Sequence, residues 1–475
     1  MVDVAIIGGG PAGSTAGRLL AQWGYDVSIL TAPPSKRPGL AECLPPSTRK
    51  LFQFLGIQDA VDAAAFLRTT GNTVWWGKTG RRVENYPEGW GYQVPRCGFD
   101  ELLLCLAREA GAYVRIGKAM RSRAGIDFVE SDKRTRIGAK FLIDCSGRAG
   151  VFGRALRIRE KNSHTVALCG VWRNDRGWNV PDASHTLVEA YGDGWAWSVP
   201  ISRQVRYVAF MVDTGQTKMV RGKGLASTYH AELAKTRAFR EIFSRGTLER
   251  APWGCDASLY SAREYSGPGF LLAGDAGSFI DPLSSFGVKK AIVSAWVAAV
   301  VVNTCLLRPG MREIALQFFD NRERQVYDDY LRQSATLFRA ADGKHPFWEH
   351  RAEFSESALA DDRAGIQEAL EKLKRKRVLR LRRAANVRME TRPAIEGREI
   401  VLGDALVASG AGEPLDYFES VSLPRLVEIA ERYQQVPDMF EAYNRTNSPV
   451  PLPNFLAALS SLVARRILLD ETTLR

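Results

Sequence analysis

The start of the chain leaves few folds open to it. Asp3-Val-Ala-Ile-Ile7 is short, apolar and extended in pattern, Gly8-Gly-Gly10-Pro-Ala-Gly13 follows, and Ser14 to Trp23 carries helical apolar spacing. Gly24 to Leu30 then reads as a second strand. GxGxxG between strand and helix has a physical basis. One glycine makes the tight turn, one lets backbone amides approach a pyrophosphate, and one lets helix pack on strand. The helix N-terminus then offers unpaired N–H groups and the positive end of its dipole to a phosphate. A plain glycine turn is the bland alternative, and the full strand–turn–helix–strand context argues against it. A second glycine signal lies far along the chain, Phe270-Leu-Leu-Ala-Gly274-Asp275-Ala-Gly-Ser-Phe-Ile-Asp-Pro282-Leu-Ser-Ser-Phe-Gly287-Val288. An apolar strand ends at Gly274-Asp275, a Pro/Ser/Gly turn follows, and a long apolar helix begins. Together the two segments read as halves of one dinucleotide site. One position departs from the pattern: an acid normally closes the second strand and binds ribose hydroxyls, and here it is Thr31. Lys36, Arg37 or water are the other ribose anchors.

Composition narrows the class. The chain has 475 residues, 45% hydrophobic and 25% charged, ordinary for a globular protein of two or three domains. Seven scattered cysteines with no CxxC pair suggest reduced thiols in the cytoplasm. The five histidines form no ligand set, so no metal is expected. Met1-Val2-Asp3 leads straight into a strand, without a signal peptide. The longest apolar run, Ala291 to Leu307, is interrupted by Ser294, Asn303 and Thr304 and reads as a buried helix rather than a membrane span. Net charge is +12, and residues 371–392 hold ten Lys or Arg against two acids. That stretch is either a solvated basic helix or a docking face for an acidic protein. Nucleic acid is not expected, because no nucleic-acid-binding motif accompanies it.

Two further segments fit FAD. Tyr92 to Leu104 opens a helix with Arg96 just before it, placed to reach a pyrophosphate or ribityl chain, and Lys140 to Arg148 is a strand ending in Asp144-x-x-Gly147. Between them, Tyr113 to Met120 reads as a strand whose end meets adenine.

In this order the segments resemble the FAD-dependent aromatic hydroxylase superfamily of the p-hydroxybenzoate hydroxylase fold, and within it the flavin-dependent halogenases. The matching pieces are Gly8–Gly13, Ala41–Ser47, Arg96-x-x-Phe99-Asp100, Asp144–Gly147, Gly274–Val288, and Trp195-Ala-Trp197-Ser-Val-Pro200, which fits the halogenase Trp-x-Trp-x-Ile-Pro pattern with Val199 for Ile. The likeness covers roughly residues 1–350. It implies an α/β fold: an FAD/NAD(P)-binding Rossmann-like domain over 1–162 and 265–310, with a substrate-domain insertion near 70–93. A mainly antiparallel substrate domain spans 163–264. Beyond it, 311–475 is expected to be mostly helical, with long helices over Gln325–Phe338 and Glu353–Arg383 and a winged-helix-like end. The cofactor implied is FAD, held by Gly8, Gly10, Pro11, Ala12, Gly13, Ser14, Arg37, Arg96, Met120, Gly274, Asp275, Gly287 and Val288. Asp275 would bind the ribityl chain, and the helix N-terminus at Gly287-Val288 would stabilise negative charge on the isoalloxazine. Trp195, Trp197 and Pro282 would wall the substrate pocket. The two tryptophans read equally as sheet core, since alternate strand residues share a face. Glu42 and Lys289 are candidates for a catalytic acid or base.

The likeness breaks at Phe66-Leu-Arg-Thr69-Thr-Gly71, where phenolic halogenases read Phe-x-x-Lys-x-Gly. Their lysine handles hypohalous acid, and here it is Thr69. The resemblance without the lysine implies an FAD monooxygenase that hydroxylates an aromatic ring through a flavin C4a-hydroperoxide. The expected substrate is carrier-bound or polypeptide, in particular a tryptophan side chain processed during tryptophylquinone cofactor biogenesis. Electrons would come from a flavin reductase or from NAD(P)H. The rival functions are a halogenase of an indole, phenol or pyrrole, an FAD-dependent prenyl-chain reductase, and an FAD-bearing maturation partner without catalysis.

Overall fold

The structure is a computed structural model and describes residues 1–34, 39–87, 89–122, 125–161, 164–217, 224–341, 343–353, 363–408, 414–418 and 420–471. The chain forms two compact units, Met1–Ala358 and Leu359–Arg475.

The first unit is built on a six-stranded sheet. Its order is Ser266–Gly267, Phe270–Leu272, Ala139–Asp144, Val2–Ile7, Val27–Thr31, Tyr113–Ile116, parallel except for the first strand. The central strands read as unbroken apolar runs because both faces are covered. On one side Ile7 and Leu30 pack with Ile126 and Phe128 of a three-stranded meander, Lys118–Ser122, Gly125–Glu130 and Lys133–Ile137. Helices Pro11–Gln22, Arg96–Glu109 and Gly287–Leu307 pack as a second layer. Gly287–Leu307 is long and apolar enough to cross a membrane by length and composition, and 72% of its apolar window is buried in this unit. Its polar interruptions are used: Ser294 Oγ donates to Glu323 (2.9 Å) and accepts the Gly274 N–H (3.0 Å), and Asn303 Oδ1 accepts from Tyr25 (2.8 Å).

An eight-stranded sheet carries the second half of the unit. Thr165–Arg173, Thr186–Tyr191, Gly194–Pro200 and Val205–Asp213 form its antiparallel centre. Gly71–Trp75 joins it in parallel beside Thr186–Tyr191, with Arg81–Asn85 at the edge. Gly91–Pro95 does not join it; it pairs with Ala41–Leu44 and Leu67–Thr69 in a separate small sheet. Helices Arg312–Ala340 and Pro346–Ala352 fall within this unit rather than with the C-terminal region that the sequence places from 311.

The second unit contains helix Arg363–Arg375, a long hairpin Val387–Glu396/Glu399–Ala408, and helices Leu423–Ala430, Val436–Thr446 and Leu452–Ala464. The helix expected over Glu353–Arg383 is corrected: 354–362 lie outside the described residues, the helix ends at Arg375, and Leu381–Arg383 is a strand paired with Leu468–Asp470. Buried Leu379 and Leu381 alternate with exposed Arg380 and Arg382, a period of two that suits a strand. The basic stretch 371–392 therefore lies mostly outside helix, with strands at Leu381–Arg383 and from Val387 onward. The hairpin precedes the last three helices instead of following them, so the order of a winged helix is not kept.

Candidate active site

A cavity of about 580 Å³ opens at the C-terminal ends of the parallel strands and runs under the eight-stranded sheet. That is where open α/β sheets place their ligands, and the volume is that of a small-molecule site. At one end Ile7 passes into Gly8-Gly-Gly10, and Gly8 takes φ +105°, which suits glycine. A Cβ on Gly8 would stand 2.3 Å from the Cys145 carbonyl oxygen, and one on Gly13 would stand 1.8 Å from that of Gly8. The helix starting at Pro11 has no side-chain cap, so its first N–H groups are left for a ligand. Thr31, Gly117, Lys118 and Ala119 line the cavity beyond this turn, and Gly117 N–H bonds the Thr31 carbonyl at 2.8 Å.

The other glycine segment forms the opposite wall. Asp275, Asp281, Pro282, Gly287 and Val288 line it, and the helix from Gly287 also lacks a side-chain cap. Arg96 and Glu42 line the cavity as well. Arg96 Nε and Nη2 reach the two Asp100 oxygens at 2.9 and 3.1 Å, and Nη1 reaches Glu42 at 3.4 Å. Burial works against the Arg96 charge, but Asp100, Glu42 and Asp275 outweigh it and hold its pKa above the usual arginine value. Burial also raises the Glu42 carboxyl, with Arg96 opposing. The substrate-side wall is the eight-stranded sheet, through Ala167, Cys169, Trp197, Ala209 and Met211. Trp197 Nε1 is buried there without a hydrogen-bond partner.

These features fit FAD: two uncapped helix N-termini, a glycine cradle that a Cβ would block, and an arginine between carboxylates. Of the sequence-predicted residues, Gly8, Gly10, Pro11, Ala12, Arg96, Asp275, Gly287, Val288, Glu42, Trp197 and Pro282 line the cavity. Gly13, Ser14 and Gly274 stand behind it: Gly13 sets the helix against the strand, Ser14 Oγ bonds the Gly9 carbonyl at 3.0 Å, and Gly274 bonds Ser294. Four expectations are corrected or unplaced. Met120 is not in the wall: the lining here is Gly117, Lys118 and Ala119, and strand Lys118–Ser122 carries Met120 into its pairing with Gly125–Glu130. Trp195 shares the face of Trp197 but is covered by Trp76 (ring centroids 6.4 Å apart) and is core. Lys289 is outside the wall and bonds Ser47 Oγ at 3.2 Å. Arg37 lies outside the described residues. Thr69, which the sequence pattern sets against the halogenase lysine, is buried and donates to the Gly71 carbonyl at 3.1 Å, away from the cavity lining.

Sequence reasoning missed Asp281. The signal was there, an Asp before Pro-Leu-Ser in a turn: its Oδ1 accepts the Leu283 N–H at 2.9 Å. Asp281 is 4% exposed, and burial pushes its pKa up to about 6, with Leu283 and Arg351 opposing. The folded protein therefore holds this proton more tightly than the unfolded chain does. The favourable contribution is full below the ordinary value of 3.8 and is lost as pH rises toward 6. Asp281→Asn keeps the acceptor and removes the charge. Chemical denaturation of the apoprotein should show the variant more stable by about 2–3 kcal/mol at pH 8, with the gain vanishing below about pH 4. Gly287→Ala tests the opposite wall. A Cβ there meets nothing within 4 Å, so apoprotein melting should be unchanged, while flavin affinity should fall about tenfold as the methyl enters the cofactor's space.

A protein-family profile described as "FAD binding domain" matches residues 1–303. The tryptophan 2-halogenase of Chondromyces crocatus is 32% identical over 340 residues, 66% of this chain and 64% of that protein, so less than two thirds of that relative's length is spanned. Two solved structures share the fold over nearly the whole chain. The flavin-dependent halogenase CmlS has a TM-score of 0.79 at 22% identity, covering 99% of this chain and 96% of its own. The peptidyl tryptophan dihydroxylase QhpG, described as essential for tryptophylquinone cofactor biogenesis, has a TM-score of 0.71 at 22% identity, covering 98% and 99%. FAD is the cofactor of this domain, and the lining of the cavity fits it.

Proposed function

Because the chain belongs to the FAD-binding-domain family, we propose that it is a flavin-dependent monooxygenase that hydroxylates an electron-rich aromatic ring. Bound FAD supplies the redox chemistry and the activation of oxygen. The chain's residues hold and orient. The helix N-terminus at Gly287-Val288 places N–H groups and a positive dipole end where negative charge on a reduced cofactor is favoured. Trp197 supplies an aromatic side chain to the cavity wall beside the ring being modified. Glu42, its carboxyl raised above the usual glutamate range by burial with Arg96 opposing, is the cavity-wall group suited to take or give a proton on the product ring. Oxygenation rather than halogenation is carried by one observation. Among the described residues the wall contains a single lysine, Lys118, and it stands beside Gly117 at the end away from Trp197. The halogenase reading draws on the Chondromyces relative.

The substrate proposed is a tryptophan side chain within a polypeptide. The likeness to QhpG across both units supports it, as does the exposed basic surface at Arg380, Arg382, Arg383 and Arg388, suited to an acidic protein. Electrons are proposed to come from a separate flavin reductase or from NAD(P)H. Oxygen uptake by holoprotein with reductant tests the substrate class. An acidic tryptophan-containing polypeptide should stimulate uptake well above free tryptophan, and the stimulation should fall with added salt. Equal stimulation by free tryptophan would count against a polypeptide substrate.

A further inference from the structure

The cavity wall holds a pair of thiols that the proposed reaction does not use. Cys169 lies on strand Thr165–Arg173 and Cys255 on its neighbour Trp253–Asp256. The register pairs Ala167 with Cys255 and Cys169 with Trp253, so the two cysteines sit diagonally on one face of the sheet. That face is the wall of the cavity, and both residues line it. Cys169 Sγ donates to the carbonyl of Ala167 at 3.7 Å, and Ala167 is the residue opposite Cys255 in the register. Arg148 also lines the cavity, donates to the Asp256 carbonyl and reaches the Cys255 thiol. The neighbouring Cys169 thiol, then the Arg148 charge, favour the Cys255 thiolate against the effect of burial, while the same neighbour and burial raise the Cys169 thiol. The other buried cysteines, Cys43, Cys145 and Cys305, are held as thiols by burial. A thiolate next to a second thiol, facing a cavity, is the arrangement of a reactive and a resolving cysteine.

We propose that Cys255 and Cys169 are a peroxide-reactive dithiol in the wall of the flavin cavity, closing to a disulfide. The oxidant is hydrogen peroxide. The Cys255 thiolate attacks one peroxide oxygen, an S–O bond forms, the O–O bond breaks and hydroxide leaves, giving a sulfenic acid. The Cys169 sulfur then attacks the Cys255 sulfur, the S–S bond forms, the S–O bond breaks, and the Cys169 proton leaves with the oxygen as water. In sum, two thiols give up two electrons and two protons, and one peroxide becomes two waters. A dithiol reductant reverses the change by exchange.

The test is intact and peptide mass spectrometry of holoprotein treated with equimolar hydrogen peroxide. The expected product is lighter by two hydrogens, with the Cys169 and Cys255 peptides linked and released by dithiothreitol. Cys169→Ser should stop at a Cys255 sulfenic acid that dimedone traps. Cys255→Ser should leave Cys169 reduced, and its peroxide consumption should fall by about tenfold. Flavin absorbance and circular dichroism report whether each variant is folded, and the wild-type result stands without them. Peroxide consumed first at exposed Cys97, or both cavity cysteines still alkylatable after treatment, would overturn the proposal. The readout is a mass, so it is independent of whether the proposed hydroxylation occurs.

Discussion

Gly13→Ala is expected to give a protein that purifies without flavin and melts well below the parent. The added Cβ would stand 1.8 Å from the Gly8 carbonyl oxygen, with Cys145 Cβ at 3.3 Å. The obstacle at Gly8 is backbone, so no side chain can swing aside. Either helix Pro11–Gln22 lifts from strand Val2–Ile7 or the turn at Gly8 opens. Overpacking of this kind costs about 1–3 kcal/mol, and a backbone clash belongs at the upper end. Opening the turn also displaces the helix N-terminus from the phosphate position. Bound-flavin absorbance and thermal melting of the apoprotein check the two effects separately. Because Gly287→Ala should lower flavin affinity without lowering the melting temperature, the two variants together separate a glycine needed for packing from one needed for cofactor space.

Arg96→Met should have the next largest effect. It removes the cation shared by Asp100 and Glu42 and leaves Asp275 in the same cavity. Glu42 and Asp100 then lose the cation they share, while Asp275 keeps only the buried Lys290, 3.8 Å away. Removing one partner of a part-buried ion pair strands the others, here at about 2 kcal/mol or more, since Arg96 keeps 29% side-chain exposure. Flavin affinity should fall by about a hundredfold at low salt, with partial recovery in high salt as the remaining carboxylates are screened. Isothermal titration of apoprotein with FAD at two ionic strengths measures this. Arg96→Lys should recover only part of the loss, because an ammonium cannot span both Asp100 oxygens.

The nucleotide end of the site was legible because it is local. Gly8 to Gly13 are close in sequence and each has a steric reason to be glycine or to follow one. The second segment is legible for the same reason, although its turn pattern points to Pro282 and not to the buried Asp281 beside it. What failed needed long-range packing. Strand alternation puts Trp195 and Trp197 on one face, and only the tertiary fold brings Trp76 over the first and leaves the second at the cavity. Met120 lies one residue past the last wall residue of its strand, Ala119. The basic stretch beyond Arg375 looked helical because its charges masked the alternation of Leu379 and Leu381. Cys169 and Cys255 are far apart in the chain, and only the pairing of their strands makes them neighbours.

The most direct test of oxygenation is the mass of the product. Holoprotein, a reducing system, oxygen and an acidic tryptophan-containing polypeptide are incubated with excess chloride and bromide present. With Lys118 the single lysine among the described wall residues, the expected product is a polypeptide heavier by oxygen atoms alone, with label incorporated from isotopic oxygen gas. A product carrying the paired isotope pattern of bromine would contradict it and make the chain a halogenase that works without a lysine at position 69.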